Sequence, residues 1–490
     1  MSSPASSTPS ASPVSPQPPP RPDTPADPPH GAPAGGFRPG LVLLLSAGAT
    51  FIAFLDTTVV NVAFPDLATS FPSERISDLS WVVSSYAVLF AALLTPMGRI
   101  ADVLGRKRVF LLSLTAFTVA SALCAAAPDL PFLIAARALQ GAAAAGMIPA
   151  ALGLLLATTP PAGLAAAIGA WGAAGSMASA AGPALGGVLV DVFGWRSVFF
   201  INIPVGIALV AAGIRGLPER ADAGQKPPDQ LGTAAFTAGI ALLVLGLTKG
   251  SDWGWGSAAT IGTTTGGAVL GALALGRSAH HPAPAVETGL FGNRTFAVAS
   301  AASAFTGAAL FAWLLSGPLF LTTVWHYSVL RAGFAVTPGA LTSALAAVVV
   351  GKRAKPHQLP FVIGAAMAAF AAVSVWTWQQ LGSDPSFLTL WLPMGLIGGA
   401  AFGATLTALS TAAATSVPPS RFASGIGMST TARQLGGALG AAATGAIIAA
   451  HRLGGPQAFR DVYLACVLLA GASAVVGLAM SRTMSTRKES

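Results

Sequence analysis

The 490-residue sequence is 53% hydrophobic and only 9% charged, with a formal net charge of +9. A water-soluble domain keeps about a quarter of its residues charged, so these proportions exclude a soluble globular protein and describe a chain dissolved in lipid. The two cysteines, Cys124 and Cys466, fall in separate apolar runs, which gives no basis for a disulfide framework or a cysteine-built metal site.

Residues 1–39 are rich in Pro, Ser and Ala and lack apolar periodicity. Such a segment buries too little surface to offset chain entropy, and it is read as a disordered tail. It has neither the basic start nor the short apolar core of a cleavable signal peptide, so the first span is expected to act as the insertion signal. From Leu41 onward, apolar runs of about 20 residues recur, each long enough at 1.5 Å per residue to cross a ~30 Å hydrocarbon core. The first group covers 41–63, 79–97, 109–127, 131–156, 164–190 and 197–217. Two shorter runs follow at 231–248 and 257–276, joined by KGSDWGWGS, whose Trp253 and Trp255 suit interfacial anchors. The last group covers 295–324, 332–351, 359–379, 387–413, 422–449 and 462–481. The expectation is an all-α polytopic membrane protein with fourteen spans.

Lys and Arg accumulate in cytoplasmic loops, so their distribution gives orientation. With both termini inside, the inner segments hold eighteen basic residues and the outer ones six. The net charge is thus a topological signal, and it carries no implication of nucleic-acid binding. The densest inner stretch is Gly98 to Arg108, GRIADVLGRKR, a turn between the second and third spans. There Gly98 and Gly105 permit a tight reversal and close helix approach, while Asp102 can accept hydrogen bonds from Arg106 or from a neighbouring helix N-terminus. A basic loop that only orients the helix is the plainer alternative, and it leaves the Gly and Asp spacing unexplained.

Three charged residues lie clearly within spans: Asp56, Arg137 and Arg433. A charge there costs at least ~2.5 kcal/mol and is ordinarily paired or facing water. Asp56 follows about fifteen residues of its span and so sits ~22 Å above the inner side, while Arg137, about six residues into a span entering from outside, sits ~9 Å down. In a ~30 Å core these are nearly one level, which pairs them either as a structural ion pair or as a titratable coupling site. That leaves Arg433 at mid-depth with no acid, favouring neutral or anionic compounds over lipophilic dications, unless it only fixes helix packing. The histidines fall in tails, loops and helix ends, and no clustered metal ligands, phosphate-cradling glycine loop or nucleophile elbow occurs. No cofactor is expected. The lone intramembrane acid has no catalytic companion, which argues against an enzyme.

These residues resemble a family. GRIADVLGRKRVF is similar to the major facilitator superfamily signature after the second helix, matching at Gly98, Ala101, Asp102, Gly105, Arg106 and Lys107 and departing at Val103. LIAARALQGAAAA resembles the fourth-helix motif through Arg137, Gln140 and Gly141. ASAAGPALGG resembles the antiporter motif of the fifth helix through Gly182, Pro183, Gly186 and Gly187, with Ala178 in place of its leading glycine. LDTTVVNVAFPDL, WRSVFFINIPVG and ARQLGGALG are similar to segments of the fourteen-helix drug:proton antiporters of the EmrB/QacA type.

The resemblance implies two six-helix bundles, 40–217 and 295–482, built from inverted three-helix repeats. A linker, 218–294, would carry two additional helices, and 483–490 would form a cytoplasmic tail. It further implies proton coupling at Asp56 and Arg137, a cytoplasmic gate at Gly98, Asp102, Gly105, Arg106 and Lys107, and a substrate cavity including Asn61, Gln140, Arg433 and Gln434. The implied activity is efflux of a small organic compound across a bacterial plasma membrane, with a self-made antibiotic as one cargo. Protons and membrane lipids are the other partners, and no obligate protein partner is expected. An uptake symporter of the same fold and a non-transporting ligand sensor are the alternatives.

Overall fold

The computed structural model describes residues 39–218, 227–451 and 455–485. The tail expected over 1–39 lies outside the described residues except for Pro39, which opens the first helix. Of the tail expected over 483–490, residues 483–485 continue the last helix and 486–490 lie outside the described residues.

The long helices, in chain order, begin with α1 (Pro39–Val62), α2 (Trp81–Leu104), α3 (Arg106–Ala125), α4 (Leu130–Thr158), α5 (Leu164–Phe193) and α6 (Asn202–Gly216). A pair follows, α7 (Gln230–Trp253) and α8 (Ala258–His280). The set ends with α9 (Arg294–Thr323), α10 (Val329–Arg353), α11 (Leu359–Gln380), α12 (Leu392–Thr415), α13 (Phe422–Ala450) and α14 (Pro456–Ser485). Among the described residues, 13 helical stretches are long and apolar enough to cross a membrane. The span expected at 422–449 is not among them, although α13 runs for 29 residues. Its polar residues explain this: Ser424, Ser429, Thr430, Thr431, Arg433 and Gln434 dilute its apolar character.

The helices pair in one pattern used twice. In the first half α1 packs on α5, α2 on α4, and α3 on α4 and α6; in the second, α9 packs on α13, α10 on α12, and α11 on α12 and α14. The halves meet along α5–α10 and α2–α13. The α7–α8 pair packs through α7 on both α2 and α13.

Local chemistry sets the helix boundaries. Asp129, Asp229, Ser257, Asn293 and Ser328 cap the N-termini of α4, α7, α8, α9 and α10 by accepting backbone N–H bonds. Asp229 also accepts from Arg277 at the far end of α8, which holds its carboxyl below the usual carboxylate range. The short run expected at 231–248 extends to Trp253 because Lys249 does not end it. Lys249 is 2% exposed, hydrogen-bonded to Ser80 and Asp252 and lying 4.8 Å from the Trp81 ring. A charge with these partners stays within the helix packing.

Candidate functional site

The first constellation surrounds Asp56, which the helical phase of α1 turns inward, with 1% of its surface exposed. Its Oδ2 takes a 2.5 Å bond from Arg137 Nη1, and its Oδ1 accepts from Gln140 Nε2 at 2.8 Å and Asn202 Nδ2 at 3.0 Å. Arg137 and Gln140 stand three residues apart on one face of α4, so a single helix supplies two of the donors. Arg137 also donates to Gln140 Oε1 at 2.6 Å and to the Val82 carbonyl at 3.0 Å, and its guanidinium lies 4.5 Å from the Tyr86 ring. Gln140 donates to Ser121 Oγ at 2.8 Å.

The cluster lies inside the first half, among α1, α2, α3, α4 and α6. Gln140, expected in the substrate cavity, is wholly buried here as a partner of the carboxylate. Asn202 was not singled out by the sequence reading, although it stands as a lone amide in the apolar stretch FINIP. Its Oδ1 is buried and has no hydrogen-bond partner among the described residues. A carboxylate here accepts three hydrogen bonds, one of them from a guanidinium, which is the donor set a buried negative charge requires.

The second constellation is the turn between α2 and α3. The chain reverses at Gly105 with φ 100°, a backbone conformation that favours glycine. Asp102 reaches across to the first turn of α13, accepting from Ala423 N at 3.2 Å and from Ser424 N and Oγ, each at 2.7 Å. A carboxylate there meets unsatisfied N–H groups at the positive end of a helix dipole. Arg106 holds Asp102 from its own side at 2.7 Å and donates to the Pro419 carbonyl at 2.5 Å and the Gly153 carbonyl at 3.3 Å. Gly98 abuts the Ala423 carbonyl so closely that no side chain would fit. Lys107 stays half-buried, with no hydrogen bond or ion pair among the described residues. The turn therefore does more than carry basic charge: it fastens the two halves together at this end. Two hydroxyl pairs add to the seam, Thr95 with Thr431 at 2.8 Å and Ser176 with Ser343 at 3.0 Å.

The α5 motif faces two ways. Gly182 and Gly186 pack on Thr58 and Val59 of α1, while Pro183 meets Gly333 and Gly187 faces Leu330, both on α10. Arg433 and Gln434 lie midway along α13, half-buried; the Arg433 backbone abuts Gly307 of α9, and its guanidinium has no ion pair among the described residues. Asn61 is exposed at the end of α1 and donates to its own helix at the Thr57 carbonyl, 3.1 Å away. Of the four residues expected in the substrate cavity, Gln140 is buried in the Asp56 cluster, Asn61 is exposed at the end of α1, and Arg433 and Gln434 adjoin on α13. Among the described residues, no group of three or more His, Cys, Asp or Glu side chains is placed to hold a metal.

Comparison with known proteins gives a consistent family. Residues 46–441 match the family described as Major Facilitator Superfamily. The chain is 30% identical over 417 residues to the multidrug resistance protein Stp of Mycobacterium tuberculosis, covering 84% of this chain and 76% of that protein. It is 32% identical over 431 residues to the cephamycin export protein CmcT of Amycolatopsis lactamdurans, covering 86% and 87%. With the multidrug export protein EmrB of Haemophilus influenzae it shares 30% identity over 406 residues, covering 82% and 79%. The crystal structure of the human organic anion transporter MFSD10 superposes with a TM-score of 0.63 at 17% identity, covering 88% of this chain and 99% of that one, a likeness of fold alone.

Proposed function

The chain belongs to the Major Facilitator Superfamily, and from that premise we propose that it exports a small organic compound across a bacterial plasma membrane in exchange for protons, by alternating access. Export is supported by relatives named for drug export and resistance. Exchange for protons rests on one observation above the others: the carboxylate at Asp56 is buried against Arg137 with every visible contact made to its ionised form. Protonating Asp56 removes the compensation for Arg137, and a buried charge left unpaired costs about 3–5 kcal/mol, enough to drive helix rearrangement.

In this reading the charged turn after α2 is cytoplasmic, as its Lys and Arg content suggests. The Asp102 latch then belongs to the outward-facing state, and α13 also spans the membrane, bringing the spans to fourteen, with its polar residues turned toward protein. The α5 motif serves as the pivot, since Pro183 removes a helical hydrogen bond where α5 touches both α1 and α10. Substrate occupies the space between the halves. There the unpaired Arg433 favours neutral or anionic compounds over lipophilic dications.

Everted membrane vesicles test the proposal. Addition of a chemically mixed panel of compounds to energised vesicles is expected to produce substrate uptake with proton release from the lumen. Uptake without proton movement would overturn the coupling, and no uptake of any compound would overturn export.

A further inference from the structure

The loop joining α8 to α9 carries an acid that neither the proton-coupling cluster nor the Asp102 latch uses. Glu287 is 5% exposed, and its two oxygens go to different halves of the molecule: Oε1 to Arg99 of α2 at 2.8 Å, and Oε2 to Arg421, just before α13, at 3.0 Å. The loop is well packed around it, with Ala285, Val286 and Leu290 buried.

The two ion pairs differ in their surroundings. The Arg99 side chain is 9% exposed, whereas that of Arg421 is 43% exposed. The Arg99–Glu287 pair is buried on both sides, so parting it is costly, while Arg421 exchanges its partner for water at little cost. The α7–α8 pair is also held to the other end of α2, where Lys249 of α7 bonds Ser80 and lies over Trp81. Both ends of α2 therefore carry an ionic or cation–π tie to this segment.

We propose that the α7–α8 pair moves with the N-terminal half, and that Glu287 is a gate residue whose bond to Arg421 breaks each time the charged end opens. The Arg99 bond is the permanent anchor and the Arg421 bond the releasable one. This rests on the alternating-access reading, and it adds to the Asp102 latch a second closure supplied by the inserted helices.

Spin-label distances in the full-length protein test it, since Cys124 and Cys466 are buried and leave introduced cysteines as the labelling sites. Labels at Ala279→Cys and Leu104→Cys span α8 and the N-terminal half; labels at Ala279→Cys and Lys352→Cys span α8 and the C-terminal half. The first distance is expected to stay constant while the second takes two values. In Glu287→Gln and, independently, Arg421→Gln, the open-to-closed ratio of the second distance should rise about fivefold. In Arg99→Gln the first distance should broaden instead. A fixed Ala279–Lys352 distance alongside a changing Ala279–Leu104 distance would overturn the proposal, as would unchanged ratios in both Glu287→Gln and Arg421→Gln. A wild-type protein that never shows two distances between the halves, with further labels at Leu104→Cys and Lys352→Cys, would instead overturn alternating access.

Discussion

The two halves share a helix-pairing pattern but fill it with different chemistry. Toward the end away from the charged turn, the N-terminal half encloses Asp56, Arg137, Gln140, Asn202 and Ser121 in one hydrogen-bonded network. The same end of the C-terminal half is aromatic. Phe320 stacks on Trp391 at 5.9 Å and meets Trp325 and Phe459 edge-on at 5.1 and 5.2 Å. One half buries a charged, hydrogen-bonded network at this end, and the other packs aromatic rings there. If the proposed proton exchange is right, the charged network carries it and the aromatic half is the body it works against.

The sharpest way to break this comparison is to neutralise the charged side. Asp56→Asn should lower gradient-driven export by more than about 100-fold, equivalent to about 3 kcal/mol in the coupled step. It also leaves Arg137 uncompensated, so the double variant Asp56→Asn with Arg137→Gln should recover thermal stability without recovering export. Proton-driven flux at the wild-type rate in either variant would end the assignment.

The aromatic side should respond in the opposite manner. Phe320→Ala removes the ring at the centre of its cluster and should cost about 3 kcal/mol of stability, read as a lowered midpoint of thermal unfolding in detergent. At temperatures where the variant remains folded, the number of protons released per substrate should be unchanged. A changed proton ratio would show that the C-terminal half takes part in coupling.

The latch lies between the halves and should affect their equilibrium more than their chemistry. Asp102→Ala removes an acceptor of three bonds from α13 and should bias the charged end toward opening by about 1–3 kcal/mol. Turnover should fall more than substrate affinity, and distances between helix ends at the charged end should report the shift. Unchanged populations would leave the turn with only its topogenic role. The smallest effect is expected from Arg433→Gln, which should reduce export of anionic compounds relative to dicationic ones by about tenfold, a difference of 1.4 kcal/mol. Resistance assays in a pump-deficient host can compare the two panels, and an unaltered preference would assign Arg433 to packing alone.

Much of this was legible in residue order. Asp56 and Arg137 can be paired from depth alone, because both interrupt apolar spans and helical rise converts position into height. The Asp102 turn is legible from its glycines and its dense charge. The bond from Gln140 to Asp56 was not legible, because three-residue spacing from Arg137 shows that the two share a face of α4 without showing what that face meets. Asn61, Arg433 and Gln434 were grouped by the family resemblance, and the structure puts Asn61 at the end of α1 and the other two together midway along α13.

The sequence by itself determined that the chain lives in lipid, roughly where its spans run, and which charges are anomalous, because the hydrocarbon core penalises each exposed polar group irrespective of the rest of the fold. Only the tertiary structure decided that Asn202, 146 residues from Asp56, completes the carboxylate's shell, and that Glu287 of the inserted segment bridges both halves. Those contacts depend on how each helix is rotated and tilted against its neighbours. That geometry comes from side-chain packing over the whole bundle, and no local pattern of hydropathy encodes it.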